Sequence, residues 1–304
     1  MTQLQQPVAV EQLAEEVYAY VQADGGWCVN NAGILLGRNG TVLVDTAGTE
    51  QRALRLRRTV AELSRRRVAA VVNTHSHGDH TFGNHLFERT AVTVAHEAAA
   101  REMAAHGLAL TGLWPQVAWG RVEPGRPTVT FRDRMTIDLS GLELQLIHLG
   151  PGHTIGDAVV WLPGPRVLFA GDLVFSGVTP FVLMGSVTGS LTVLDRLRAL
   201  EPATVVPGHG PVGGPDLLDA NADYLRWVQG LARCALAERL SPLALAEATD
   251  LGRYERLLDN ERLVGNLVRA YAEERGAAPA APVDVLEAME DMAKFHGGPL
   301  CCTA

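Results

Sequence analysis

Long uninterrupted apolar segments are missing from this 304-residue sequence, although 47% of its residues are hydrophobic. Glycine, proline or charged residues break every apolar run well before the roughly 18 residues that a membrane-spanning helix needs. A basic segment followed by an apolar one, as in a secretory signal, is also missing from residues 1–7. The composition therefore predicts a cytoplasmic globular protein without a membrane partner, with one large core and room for an additional subdomain.

Clustered positive charge is scarce as well. The formal net charge is −8, and the one basic run is Arg65, Arg66 and Arg67. A surface that binds nucleic acid needs a basic track along the phosphates, so we expect no nucleic-acid partner. We interpret the arginine run as the end of an amphipathic helix, where cations compensate the helix dipole, and as solvated surface.

Cysteines are few, and they lack the spacing of a metal site. The four are Cys28, Cys234, Cys301 and Cys302. Cys301 and Cys302 are adjacent and cannot comfortably bond to each other. We therefore expect four free thiols.

The pattern of predicted elements changes near residue 215. Before it, alternating strands and helices include a hairpin turn at residues 39–40, strands at 68–73 and 167–170, and a helix at about 190–199. Beyond residue 215 the pattern is helical. We predict an α/β fold of the αββα sandwich type over residues 1–214, with a C-terminal helical extension, residues 215–304, packed on this core.

Three histidines and an aspartate follow a predicted strand within six residues. They are His75, His77, Asp79 and His80. Histidines two positions apart on an extended segment project to the same side, and after the turn at Gly78 the next two side chains address a second point. The loop therefore predicts a site for two metals.

Further ligands are expected from the ends of other strands. His153, Asp172 and His209 each follow an apolar or alternating run and each comes directly after a glycine, which allows the backbone to approach closely. We predict that these three side chains complete the metal site. The remaining histidines are interpreted as hydrogen-bonded core or surface groups: His85, His96, His106, His148 and His296.

This ordered set resembles the metallo-β-lactamase superfamily, whose pattern His-x-His-x-Asp-His is followed by a separate His, an Asp and a last His. The resemblance covers roughly residues 15–230, with all seven ligand positions filled. It implies one metal held by His75, His77 and His153, a second held by Asp79, His80 and His209, and a bridging Asp172. It also implies that Asp45 supports the site without being a ligand.

Such a pair of cations implies hydrolysis. Two metals that share a carboxylate lower the pKa of a water between them to about 7, and the bridging hydroxide attacks an acyl carbon. Asp79 is the expected catalytic residue, which orients the hydroxide and shuttles its proton. Two Zn²⁺ ions suit the histidine-rich set, and Fe or Mn are alternatives that Asp172 tolerates.

The substrate is expected to be a bulky acyl group. Asp172 and His80 place the sequence nearer to thioester- and lactone-hydrolysing relatives, such as glyoxalase II, than to β-lactamases with Cys at the bridging position. Residues 175–185, with Trp114 and Trp119, predict an apolar wall beside the metals, although they suit a core equally well.

A second resemblance is narrower. The complete metal set, the helical tail and the ending at residues 296–300 are similar to the cyclase-thioesterases of bacterial aromatic polyketide pathways. This implies hydrolysis of a thioester between a polyketide and its acyl carrier protein, with or without an aldol-type ring closure. The expected partner is a small-molecule or carrier-protein-bound acyl substrate.

Several alternatives stay open. One is a lactonase or a generic ester or β-lactam hydrolase, and another is a sulfur dioxygenase with a single iron. His77 counts against a flavodiiron protein, which has Glu there, and the filled ligand set counts against a non-catalytic scaffold.

In relatives that carry one, a C-terminal helical cap covers the metal cleft and shapes substrate choice. Simple packing or homodimer formation is the equal alternative.

Overall fold

The computed structural model describes residues 7–22 and 24–304, apart from the side chains of residues 237 and 238. Two β-sheets lie at its centre, and residues of both contribute to one buried apolar cluster between them. Leu35, Val44 and Val72 enter this cluster from one sheet, and Leu146 and Val160 enter it from the other. Burial of these apolar faces holds the two sheets together.

The first sheet follows chain order in the described part of the protein. Its strands are Val8–Ala14 (β1), Val17–Gln22 (β2), Ala32–Gly37 (β3), Gly40–Val44 (β4), Val68–Val72 (β5), Val92–His96 (β6) and Val129–Phe131 (β7). Strands β1 to β4 pair antiparallel, and β4 to β7 pair parallel. The carboxyl ends of the parallel strands meet at one edge, so the loops after β4 and β5 are neighbours.

The second sheet has the order β12-β11-β10-β9-β8 among the described residues. Its strands are Arg134–Asp138 (β8), Glu143–Ile147 (β9), Val159–Leu162 (β10), Val167–Phe175 (β11) and Thr204–His209 (β12). Only the β11–β12 pair is parallel within it, and its register shifts around Gly171. That irregularity lies next to Asp172, one of the predicted ligands.

The described residues also form helices, some of which cover the outer faces of the two sheets. They are Glu50–Leu63 (α1), Gly78–Thr81 (α2), Glu97–His106 (α3), Ala109–Leu113 (α4), Val187–Arg198 (α5), Asp216–Glu238 (α6), Pro242–Ala248 (α7), Arg262–Glu274 (α8) and Val285–His296 (α9). Side chains of Thr49, Ser186, Ser241 and Asp284 accept backbone N–H groups at four helix starts, as good N-caps do. Among the described residues we find no helix with the length and apolar character to cross a membrane.

The layers confirm the predicted αββα architecture. Leu56 and Val60 of α1 pack with Ile34 and Val71 on the outer face of the first sheet. On the far side of the second sheet, α5, α6 and α8 share a large apolar cluster with β11 and β12. The order from outside to inside is therefore helix, sheet, sheet, helix.

Two of the C-terminal helices, α6 and α8, are part of this second helical layer. Helix α6 packs on α5, β11 and α8, and α9 packs on α8. Glu273 of α8 accepts the backbone N–H groups of Val187 (2.8 Å) and Thr188 (3.0 Å) at the start of α5. The division of the chain at residue 215 stays a prediction.

Some elements differ from the sequence-based expectations. Strands β1 and β7 were not predicted, because β1 is largely exposed and β7 has only three residues. Strand β3 begins only at Ala32, since the Asn31 side chain donates to Pro207 O and Gly210 O and ties the preceding segment to β12.

The arginine run is exposed, as interpreted, but it does not form the end of α1. Helix α1 ends at Leu63, and its last turn contains no basic residue. Arg66 instead donates to Gly37 O (2.9 Å) and lies 3.9 Å from Glu16 Oε1. It therefore joins the next loop to the neighbouring strands.

Candidate metal centre

Seven side chains converge where the strand ends of the two sheets meet. His75 and His77 follow β5, Asp79 and His80 belong to α2, His153 lies between β9 and β10, Asp172 lies in β11, and His209 ends β12. Asp172 and His209 therefore sit inside strands rather than in loops, because both strands extend past their apolar runs. All seven predicted ligands share one cluster, which we call the metal cluster.

The donor atoms divide into two groups. Those of His75, His77, His153 and Asp172 all lie within 4.8 Å of one another, and so do those of Asp79, His80 and His209. His153 Nε2 is 2.8 Å from His77 Nδ1, and His209 Nε2 is 3.4 Å from Asp79 Oδ2. Each group has the compactness that a single cation requires of its ligands.

Asp172 contacts both groups. Its Oδ1 is 3.1 Å from His80 Nε2, and its Oδ2 is 3.4 Å from the Nε2 atoms of His153 and His209. A side chain at Gly208 would overlap Asp172 Oδ1, so glycine there allows β12 to approach β11 closely. The carboxylate is therefore located where a bridging ligand would have to be.

Four histidines turn their second ring nitrogen outward to a fixed partner. His75 Nδ1 is 3.0 Å from Thr74 Oγ1, and His80 Nδ1 is 2.9 Å from Asp45 Oδ2. His153 Nδ1 is 2.5 Å from Phe181 O, and His209 Nδ1 is 3.0 Å from Gly25 O. Such partners fix the ring orientation and direct Nε2 inward, as they do around protein-bound metals. Asp45 thus has the supporting position that the family resemblance implies.

An unsatisfied nitrogen supports the fit of a cation. His75 Nε2 is buried and has no hydrogen-bond partner among the described residues. Buried polar atoms are normally paired, and an inward imidazole nitrogen without a partner is suited to a metal. The histidine and carboxylate donor set fits zinc, and it also accommodates iron or manganese.

The electrostatics of the cluster favour positive charge next to its carboxylates. Burial holds the pKa of His77 at about 3, so its imidazole is neutral and able to act as a ligand. Burial opposes charge on His209 too, but Asp172 and Asp79 outweigh it and raise the pKa of His209 to about 9. Burial alone would raise the pKa of Asp79, yet His80 and His209 lower it to about 2. Protons on the histidines thus neutralise carboxylates that a bound cation would otherwise neutralise.

Asp157 was missed by the sequence reasoning. Its carboxylate accepts the N–H groups of Gly152 (3.0 Å) and Thr154 (3.0 Å) and the Thr154 hydroxyl (2.7 Å). These bonds hold the backbone on both sides of His153. Burial raises the pKa of Asp157 to about 7. The only signal in the sequence was an acidic residue four positions after His153.

The other histidines lie outside the cluster in the described structure. His85 Nδ1 is 2.9 Å from Phe82 O, and His148 Nδ1 is 2.6 Å from Asp157 O. His96 caps α3 and stacks on His148, and His296 is 3.5 Å from Glu261 Oε2. His106 lines the rim of the adjoining cavity.

A cavity of about 480 Å³ opens onto the metal cluster. The predicted wall contributes Phe175, Phe181, Leu183, Met184 and Trp114 to its lining. Trp119 is buried behind this wall, where its Nε1 donates to Trp114 O (3.0 Å). Helices from distant parts of the chain complete the lining with Met103, Leu110, Leu113, Val285, Leu286 and Met289. Residues 175–185 thus serve both expected roles, because Val178 and Val182 are in the core.

Comparisons with known proteins agree with this geometry. Residues 25–209 match the family model described as the metallo-beta-lactamase superfamily. A metallo-beta-lactamase type 2 of Bacteroides fragilis is 27% identical over 223 residues, which cover 70% of this chain and 83% of the relative. A linear primary-alkylsulfatase of a Pseudomonas species is 30% identical over 136 residues, 41% of this chain and 26% of the relative.

The fold has solved counterparts. A metallo-beta-lactamase from Pontibacter korlensis superimposes with a TM-score of 0.60, at 24% identity, over 72% of this chain and 99% of that structure. At this identity the likeness concerns the fold alone.

Proposed function

The chain belongs to the metallo-β-lactamase superfamily, and from that premise we propose that it is a two-metal hydrolase for an acyl thioester, or a related acyl bond, of a bulky apolar substrate. The observation that carries this proposal is the cavity, which is lined mainly by apolar side chains and reaches Asp79, Asp172 and His209 at one end. Its volume falls within the range of small-molecule sites.

Two divalent cations in the metal cluster would supply Lewis acidity and lower the pKa of water towards neutral pH. The residues around them supply orientation and proton transfer. Asp79 Oδ2 lies beside His209 at the cavity end. An ionised carboxylate there is able to accept a proton from the attacking water and pass it to the leaving group.

Aromatic side chains support a flat or bulky acyl body. Trp27 lies 5.3 Å from Trp114 and 5.0 Å from Phe181, centroid to centroid, so three rings form one side of the cavity. Such a wall excludes water and favours rings that stack or pack edge to face. A polyketide thioester carried by an acyl carrier protein is the narrower form of the proposal, with or without ring closure.

The cavity has few cationic side chains that could bind a carboxylate next to the reacting bond, which argues against substrates such as β-lactams. Arg262 is the one arginine among the lining residues, no lysine is among them, and its guanidinium is already engaged. It donates to Asp259 Oδ2 (2.7 Å) and Thr179 O (3.1 Å), and it stacks 4.1 Å from the Trp27 ring centroid. The Arg262 side chain is also only 2% exposed, so little of it is accessible to a second anion.

The proposal is tested by kcat/KM on a matched panel with the metal-loaded protein. The panel contains thioesters with acyl groups from acetyl to polycyclic aromatic, the corresponding lactones, and β-lactams. We expect thioesters to be preferred, with kcat/KM rising with apolar bulk. Preference for lactones or β-lactams would overturn the thioester assignment. One iron per chain with oxygen uptake on persulfides would overturn hydrolysis itself.

A further inference from the structure

Two cysteines from opposite ends of the chain meet beside the cavity. Cys28 is 3% exposed and lines the cavity, and Cys302 belongs to the C-terminal tail. Cys302 Sγ donates at 3.3 Å to the backbone oxygen of Trp27, the residue before Cys28, and the Cys28 and Cys302 side chains lie close enough to interact. Both are free in the structure.

The tail is fixed on both sides of Cys302. Leu300 is buried in the same apolar cluster as Trp27, and Arg52 Nη2 donates to Thr303 O at 2.8 Å. Cys28 itself has φ +62°, a left-handed conformation that is unfavourable for a residue with a side chain and is held by its surroundings. The two sulfurs are therefore held together by contacts on either side.

We propose that Cys28 and Cys302 form a redox modification site, in which a peroxide converts the two thiols into a disulfide that ties the C-terminal tail to the cavity wall. Cys302 sulfur attacks one peroxide oxygen, the O–O bond breaks, and the products are a sulfenic acid and water. Cys28 sulfur then attacks the sulfenic sulfur, the S–O bond breaks, and a second water leaves. Two thiols lose two electrons in total, and one hydrogen peroxide is reduced to two waters.

The surroundings assign the order of attack. Cys302 is only partly buried, and its contact with the Cys28 thiol lowers the pKa of Cys302. Burial raises the pKa of Cys28, which suits the resolving thiol rather than the first nucleophile. This site does not depend on the proposed reaction, since it requires only the two thiols and an oxidant.

The test uses the full metal-loaded chain, treated with a small excess of hydrogen peroxide and then alkylated. Mass spectrometry of peptides without reductant should show Cys28 linked to the tail in monomeric protein, with a loss of two hydrogens that reductant reverses. The Cys301→Ser variant should keep this link, and the Cys302→Ser variant should lose it. The exposed Cys234→Ser variant is the matched control and should behave as the wild type.

Three results would overturn the proposal. They are a link that survives Cys302→Ser and disappears in Cys301→Ser, a product linked only between molecules, and full alkylation of Cys28 after peroxide. Unfolding provides a second readout. Oxidation should raise the urea midpoint of the wild type, because a link between the two chain ends restricts the unfolded state, and it should leave that of Cys302→Ser unchanged.

Discussion

Asp45 Oδ2 lies 2.9 Å from His80 Nδ1, so a carboxylate just after β4 orients an imidazole of the metal cluster. The same carboxylate accepts the Thr74 N–H (2.8 Å) and hydroxyl (2.7 Å), which fixes its own position. Asp45 has φ +61°, a conformation that Asp and Asn tolerate better than other residues with side chains. The pair thus links the first sheet to the metal cluster through one rigid contact.

We expect Asp45→Asn to weaken metal binding while the fold is retained. Asparagine preserves the size and tolerates the backbone conformation, but it removes the negative charge that holds the His80 ring. Loss of such an outer partner typically lowers metal affinity about 10- to 100-fold. Competition with a chromophoric chelator measures this, with the exposed Asp138→Asn on β8 as control. Equal affinity in the two variants would show that Asp45 serves packing alone.

Removal of a ligand should have a larger effect. His77→Ala and Asp172→Ala are expected to abolish turnover and lower the metal content below two per chain, while circular dichroism stays close to that of the wild type. Both side chains point into the cluster rather than into the apolar core. His85→Ala is the control, because His85 bonds to Phe82 O outside the cluster. Unchanged turnover in either ligand variant would remove the two-metal mechanism.

The metal cluster could be predicted because its signals are local. His75, His77, Asp79 and His80 are close in sequence, and His153, Asp172 and His209 each follow a glycine after a strand-like run. Parallel pairing of β11 with β12 then places two of these side chains at one edge. Strand ends that meet at the same edge of a sheet bring together residues that are far apart in sequence.

The cavity could be predicted only in part. Phe175 and Phe181 follow Asp172 closely in sequence, so their proximity to the metal cluster was expected. Leu286 and Met289 reach the cavity only because α9 packs on α8. No local sequence pattern predicts which face of α9 contacts α8 and which lines the cavity. The support of His153 by Asp157 was missed for the same reason, since it depends on the folded path of a loop.

Leu286 provides a test of the bulky-substrate proposal. It lines the cavity on α9 yet is 66% exposed, so Leu286→Glu should leave stability nearly unchanged. A charge at this position should raise KM for long apolar acyl thioesters about 5- to 10-fold, equivalent to ~1 kcal/mol of lost apolar contact. KM for an acetyl thioester should stay constant. The control is Val10→Glu on β1, which is 41% exposed and lies outside the cavity lining. An equal increase in KM for acetyl and long acyl thioesters would contradict the proposal.

Asp157 should make stability depend on pH with a defined sign. Its pKa is raised by burial from 3.8 to about 7, so between these values the folded state keeps a proton that the unfolded state releases. The stabilisation that this proton gives the folded state is fully present below about pH 4. As pH rises towards 7, the free energy of unfolding therefore decreases by up to about 4 kcal/mol.

Asp157→Asn cannot titrate, which isolates the effect. The unfolding free energy of the metal-free wild type minus that of the variant should fall as pH rises from 4 to 7, as measured by urea denaturation. A difference that stays constant or increases would show that Asp157 is ionised throughout this range.

Glu273 should stabilise the contact between α8 and the start of α5. Its carboxylate accepts two backbone N–H groups that would otherwise lack a partner, at Val187 and Thr188, and its charge faces the positive end of the α5 dipole. Glu273→Gln keeps one acceptor and removes the charge, so the free energy of unfolding should fall by about 1 kcal/mol.

The neighbour Glu274 provides a matched control, because it pairs with Arg233, which is largely exposed. An exposed ion pair contributes less, about 0–1 kcal/mol, so Glu274→Gln should have the smaller effect in urea denaturation. Equal losses in the two variants would mean that Glu273 contributes no more to the contact between α8 and α5 than a surface charge does.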